Sequence, residues 1–381
     1  MSIALQAPHY IRAISPYQPG KPITELARQM GIPVDKIVKL ASNENPLGMS
    51  PKARSAVEKA LAGVERYPDQ FDLIAALAER HGVAADQVVL GNGSNDVLDL
   101  AARVFLAPGR SAVCSKHAFA VYPLATVSTG AECIVAPAKH FGHDPAAMLA
   151  AIRPDTQVVW IANPNNPTGN FLPQAELRRF VEAIPAHVAV VLDEAYTEYL
   201  APADRADTVA WIRDIKNLIV TRTFSKIYGL AGLRVGYGVA RAEVADLLNR
   251  VRQPFNVNNL ALAGSLAALD DHGFVAESFE LNRRGMEQMV AGLKRLGLEH
   301  IPSHGNFVTF EVKDGAAVNG KLLQQGVIVR PIGGYGLPNH LRVTIGLETE
   351  NAHFLEALEN AVSAKANVGF TGVKQNGRSQ K

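Results

Sequence analysis

Lys226 lies in Thr221-Arg-Thr-Phe-Ser-Lys-Ile-Tyr-Gly-Leu-Ala-Gly-Leu-Arg234, directly after the apolar, β-prone run Leu218-Ile-Val220. A single lysine after a strand is ordinarily a solvated surface residue. It becomes a covalent catalyst only if the chain also supplies an anion site for a carbonyl cofactor's phosphate and a carboxylate for its ring nitrogen. Three other stretches carry polar residues where a run of Val, Ile and Leu stops. Gly91-Asn-Gly-Ser-Asn95 follows Val89-Leu90 and leads into a helix, so small residues precede a helix N-terminus with free N–H groups suited to phosphate. Position 96 is Asp, so the dinucleotide fingerprint fails. Without a ligand the same stretch is a glycine turn capped by Ser94 or Asn95. Asn163-Pro-Asn-Asn-Pro-Thr-Gly169 follows Trp160-Ile-Ala162 and is denser in turn formers than a simple turn requires; Asn166 can donate an amide N–H to a phenolate-type oxygen. Asp193-Glu-Ala-Tyr196 follows Val190-Val-Leu192, and an acid at a buried strand end needs a positive partner, either an Arg or Lys or a cofactor's pyridinium nitrogen.

These residues converge only if the elements before them form one sheet. Short strands are expected at Gln87–Leu90, Ser111–Cys114, Glu132–Val135, Gln157–Ala162, Val188–Leu192, Asn217–Val220 and Val235–Val239. Helical runs between them include residues 173–184, where Leu177, Phe180, Val181 and Ile184 share a face. Continuous rather than alternating apolar runs indicate strands covered on both sides. The fold class is therefore α/β, a mostly parallel sheet flanked by helices, with ligands outside the carboxyl ends of the strands. Residues 1–40, rich in proline, are expected to be an extended arm; 41–270 a large domain; 271–366 a smaller α+β domain; 367–381 a polar, frayed tail.

Composition narrows the class. The 381 residues are 48% hydrophobic and 19% charged, enough for a large core and unlike a disordered chain. Thirty-eight basic residues against 36 acidic ones give a net charge of +2, with no electrostatic case for nucleic acid or an anionic membrane. Cys114 and Cys133 form no CxxC pattern and the 11 histidines no ligand pattern, so no metal site is expected and a reducing, cytoplasmic setting is. No signal-peptide pattern or membrane-length apolar run is evident. A DNA-binding regulator would need a helix-turn-helix extension, for which the proline-rich first 40 residues are unsuited.

With these motifs in place, the chain resembles the fold-type I pyridoxal-phosphate aminotransferases of class I/II over residues 40–365. The resemblance rests on Asn163–Gly169, Asp193–Tyr196, Ser225-Lys226 and Gly232-Leu-Arg-Val-Gly236. Within that superfamily it is most similar to the histidinol-phosphate aminotransferases, through Ser15-Pro-Tyr-Gln-Pro-Gly-Lys21, Asn43-Glu-Asn-Pro46, Arg66-Tyr-Pro-Asp69, Gly326-Val-Ile-Val-Arg330 and Leu341-Arg-Val-Thr344. The resemblance implies pyridoxal 5'-phosphate carried by Lys226, which also shuttles the proton. Asp193 would pair with the ring nitrogen, Asn166 and Tyr196 would bond the phenolic oxygen, and Phe119 would stack on the ring. Ser94, Asn95, Ser225 and Arg234 would hold the cofactor phosphate, with Tyr67 reaching the phosphate of the partner subunit in a homodimer.

For the substrate, the resemblance implies Arg342 as the anion fork, Arg330 as additional positive charge for a phosphate dianion, and Tyr17 as a cap. The expected reaction joins histidinol phosphate and 2-oxoglutarate to imidazole-acetol phosphate and glutamate. An aromatic-amino-acid aminotransferase is the alternative, because Pro331-Ile-Gly-Gly-Tyr-Gly-Leu337 is a glycine-rich loop where many relatives have a short polar stretch. Another pyridoxal-phosphate activity, a decarboxylase or C–S lyase, would be separated by whether glutamate forms stoichiometrically.

Overall fold

The structure is a computed structural model that describes residues 2–18 and 20–363; the expected tail at 367–381 lies outside the described residues. Its strands are β1 (Val38–Lys39), β2 (Val88–Gly91), β3 (Ser111–Ser115), β4 (Glu132–Ala136), β5 (Thr156–Ala162), β6 (Ala189–Asp193), β7 (Leu218–Thr223), β8 (Gly236–Val239), β9 (His300–Ile301), β10 (Phe307–Glu311), β11 (Val327–Ile328), β12 (Arg330–Pro331) and β13 (His340–Thr344). Among the described residues, seven form the central sheet in the order β2-β8-β7-β6-β5-β3-β4. All its pairings are parallel except those of β8, which runs antiparallel to both β7 and β2. The carboxyl ends of β2, β5, β6 and β7 therefore share one edge.

The lack of alternation in the strand sequences has a physical cause. In β5, Val159 and Ile161 enter one apolar cluster while Val158 and Trp160 enter another on the opposite face. In β6, Val190 and Leu192 separate from Val191 in the same way. Both faces are buried, so both sets of positions must be apolar. Each such side chain fully buried contributes roughly 1.5–3 kcal/mol.

The helix after β2 is longer than its apolar run suggests, spanning Ser94–Phe105. Gly93, with φ +79°, occupies the cap position, and neither Ser94 nor Asn95 caps the helix. Its first turn lies directly against β8, where a Cβ on Gly236 would overlap the Ser94 amide. The smaller sheet, β12-β13-β10-β9, is antiparallel. The helices His272–Arg295 and Glu348–Ser363 complete its core, where Val308, Phe310, Leu341, Val343 and Phe354 pack together.

The stretch expected as an arm, residues 1–40, contains regular structure. Residues Ile23–Met30 form a helix whose Leu26 is fully buried with Ile37, Ala41 and Ile328. β1 then pairs in parallel with β11. The apolar face of that short helix drives this docking, and residues 23–40 extend the C-terminal substructure. Nearer the N-terminus, Ile3, Leu5 and Ile11 remain exposed.

Candidate active site

A cleft of about 400 Å³ opens between the shared strand edge and the β12–β13 hairpin. Every residue singled out from the sequence lines it except Tyr67: Tyr17, Ser94, Asn95, Phe119, Asn166, Asp193, Tyr196, Ser225, Lys226, Arg234, Arg330 and Arg342. Tyr67 is 79% exposed in a separate surface hollow and stacks on Phe255, with ring centroids 4.5 Å apart.

Asp193 is the last residue of β6 and is buried. Tyr122 Oη donates to its Oδ2 at 2.8 Å and Thr221 Oγ1 to its Oδ1 at 3.2 Å. Burial raises its carboxyl to about 6 against the pull of those two donors. The neighbouring Glu194 takes the arginine, Arg222, at 2.8 Å. Among the described residues Asp193 has no cationic partner within ion-pair distance. Neither Tyr122 nor Thr221 was apparent from sequence: Tyr122 sits on a helix far from the motifs, and nothing in its local sequence marks it.

Lys226 is half-buried beyond the end of β7, its Nζ donating to Ser42 O at 3.1 Å and lying 5.7 Å from the centroid of the Tyr196 ring. Burial, with Arg342 adding to it, lowers the amine to about 8. Tyr196 Oη accepts from Asn43 Nδ2 at 2.9 Å. Asn43 has φ +55° and is itself held by Thr344 and Asn306. Asn43 belongs to a motif noted above, yet its individual role needs the structure, because its partners lie more than 150 residues away.

The asparagine loop after β5 is largely self-supporting. Asn163 exchanges two hydrogen bonds with the Leu172 backbone at 3.0 and 2.8 Å, and Asn165 bonds Thr168 at 2.7 Å and His117 O at 3.0 Å. Asn166 Oδ1 accepts from Arg342 Nη1 at 2.5 Å, which turns its amide nitrogen away from the arginine and leaves it available as a donor. Arg342 is buried, also bonds Ala41 O at 2.7 Å, and leaves its Nε unpartnered. Arg330 stands opposite it in register, bonds Gln18 O at 2.6 Å, and lies 5.3 Å from the centroid of the Tyr17 ring. Among the described residues neither arginine meets a carboxylate within ion-pair distance.

The cofactor implied above fits these residues. A Cβ on Gly93 would come within 2.7 Å of Arg234 Nη2, so only glycine leaves that cradle open. Arg234 reaches it from a left-handed backbone, φ +58°, and bonds Ala231 O at 2.9 Å and Asn92 O at 3.4 Å. A buried carboxylate without a cation, a lysine of lowered basicity and an anion cradle are what a phosphorylated pyridine aldehyde requires.

Comparison with known proteins agrees. Residues 35–358 match the model of the aminotransferase class I and II family. The chain is 76% identical over 362 residues to histidinol-phosphate aminotransferase 1 of Dechloromonas aromatica, covering 95% of this chain and 100% of that one. It is 60% identical over 365 residues to histidinol-phosphate aminotransferase 2 of Nitrosospira multiformis, covering 95% and 93%. The crystal structure of histidinol-phosphate aminotransferase from Sinorhizobium meliloti in complex with pyridoxal-5'-phosphate superposes with a TM-score of 0.86 at 26% identity, over 93% of this chain and 96% of that one. The chain belongs to the class I and II aminotransferases and, within them, to the histidinol-phosphate aminotransferases.

Proposed function

We propose that this chain is a pyridoxal-phosphate-dependent transaminase that exchanges the amino group between histidinol phosphate and 2-oxoglutarate, a step of histidine biosynthesis. The observation that carries the substrate reading is the pair Arg330 and Arg342, side by side without a carboxylate, across the cleft from Lys226. Two guanidinium groups suit a phosphate dianion, and a carboxylate needs only one of them.

When bound, the cofactor supplies an electron sink for the pair left behind when the substrate's Cα proton departs. The chain's own groups do the rest. Lys226, its amine lowered to about 8 so that a sizeable fraction is neutral near physiological pH, holds the cofactor, and carries the proton away from Cα in one half-reaction and to Cα in the other. Asp193 keeps the ring nitrogen protonated, and Tyr122 and Thr221 keep Asp193 ionised. Asn166 and Tyr196 bond the phenolic oxygen, Phe119 covers the ring, and Ser94, Asn95, Ser225 and Arg234 hold the phosphate. Arg342 and Arg330 bind the substrate anion and Tyr17 closes over it.

The active unit in this reading is a homodimer in which Tyr67 reaches the partner's site. Tyr67, Phe255 and Val64 are all more than half exposed and line one surface hollow, which supports it. Cys114 and Cys133 are free thiols with sulfurs 3.4 Å apart, which suits the reducing cytoplasm.

The deciding experiment compares kcat/KM for histidinol phosphate and phenylalanine with 2-oxoglutarate as acceptor. One glutamate should form per amino group transferred, with histidinol phosphate strongly preferred. A preference for phenylalanine overturns the substrate assignment, and turnover without glutamate overturns transamination.

A further inference from the structure

The loop between the two substrate arginines, Ile332–Leu337, is rich in glycine and turns tightly, with Tyr335 N bonding Ile332 O at 3.0 Å and Gly336 N bonding Gly333 O at 2.9 Å. Gly336 has φ +76°. Such a segment loses more conformational entropy on ordering than any other, so something must hold it. One side chain from the large substructure does. The buried His117 contacts the Tyr335 carbonyl through Nδ1 at 2.7 Å. A carbonyl only accepts, so Nδ1 carries the proton and donates. The backbone of His117 is itself fixed by the asparagine loop, its carbonyl accepting from Asn165 Nδ2 at 3.0 Å. Phe119, two residues on, lines the cleft.

We propose that His117 is a positioning residue for the substrate end of the site, a latch that ties the Ile332–Leu337 loop to the segment carrying Phe119. The inference rests on the substrate reading above. It joins two parts of the cleft that come from different substructures: the face that covers the cofactor ring and the hairpin that presents Arg330 and Arg342.

The test uses the holoenzyme and separates KM from kcat. His117→Phe keeps an aromatic ring and removes the donor, and His117→Asn returns an amide N–H at the position of Nδ1. In His117→Phe, KM for histidinol phosphate should rise roughly tenfold with kcat within about twofold, and the cofactor's visible absorption should not change. In His117→Asn, KM should return to within about threefold of the parent. If His117→Phe does not fold, His117→Gln, whose amide sits one bond further out, must raise KM and fall short of Asn. An unchanged KM in Phe, or equal impairment in Phe and Asn, overturns the latch. A parent enzyme inactive on histidinol phosphate overturns the substrate reading instead, and the same comparison with phenylalanine still tests the latch.

Discussion

At the residue scale two groups in the cleft are perturbed by burial, Lys226 and Asp193. In the role proposed for it, Lys226, at about 8, attacks the cofactor's carbonyl as the neutral amine, so reconstitution of the apoprotein should accelerate as pH rises through about 8 and level off above it. Stopped-flow absorbance checks this, and a rate flat between pH 7 and 9 contradicts it. Lys226→Ala should lose the lysine-linked absorption band and lower turnover by at least about a thousandfold; survival of the band refutes the role given to that lysine. Asp193 has the opposite signature. Its folded pKa is raised from 3.8 to about 6, so ionising it destabilises the fold: nothing is lost below the unfolded pKa, and the full loss applies above about 6. Asp193→Asn should therefore stabilise the apoprotein at pH 7.5 by about 1–3 kcal/mol while weakening cofactor binding. Thermal melts with and without cofactor read both, and destabilisation of the apoprotein would contradict the argument.

At the scale of elements, the question is what keeps Asp193 charged. Its two donors come from neighbouring elements, Thr221 from β7 and Tyr122 from the helix Val121–Ser128. Tyr122 is itself set by stacking on Trp160 of β5, with ring centroids 5.5 Å apart and planes parallel within 1°. Tyr122→Phe preserves the stack and removes one donor to the carboxylate. The acid limb of the pH–rate profile should then shift upward, because the protonated carboxyl is favoured, and kcat should fall about tenfold. An unmoved limb would mean that the phenol is only packing. The Glu194–Arg222 pair, formed by the residue that follows Asp193 at the end of β6 and by a residue of β7, ties the same two strand ends together without lining the cleft.

At the scale of the molecule, the cleft is built from parts remote in sequence. Arg342 from β13, Asn166 from the loop after β5 and Ala41 from the segment following β1 meet at one guanidinium. Burial of that cation among hydrogen-bond acceptors, with its Nε left over, is costly unless an anion enters. The exposed Tyr67–Phe255 stack has no such role within one chain. We expect a dimer in analytical ultracentrifugation at micromolar concentration, and Tyr67→Ala to weaken cofactor retention by about tenfold through the lost phosphate contact. A fully active monomer would contradict both.

Much of this was legible in the residues themselves. Val, Ile and Leu runs without alternation are intelligible only as doubly covered strands, and Lys226, Asp193 and Asn166 stand where such strands stop. Turn chemistry likewise marked Asn163–Gly169, whose asparagines bond their own loop. These are local effects, carried by propensity, periodicity and backbone demand, and they can be read from neighbours in the chain. What only the tertiary structure decided is pairing at long range. The docking of residues 23–40, the choice of Tyr122 as donor to Asp193, the support of Tyr196 by Asn43 and the tie between His117 and Tyr335 all depend on which surfaces meet. Burial then turns those meetings into shifted pKa values, and no spacing along the chain encodes that burial.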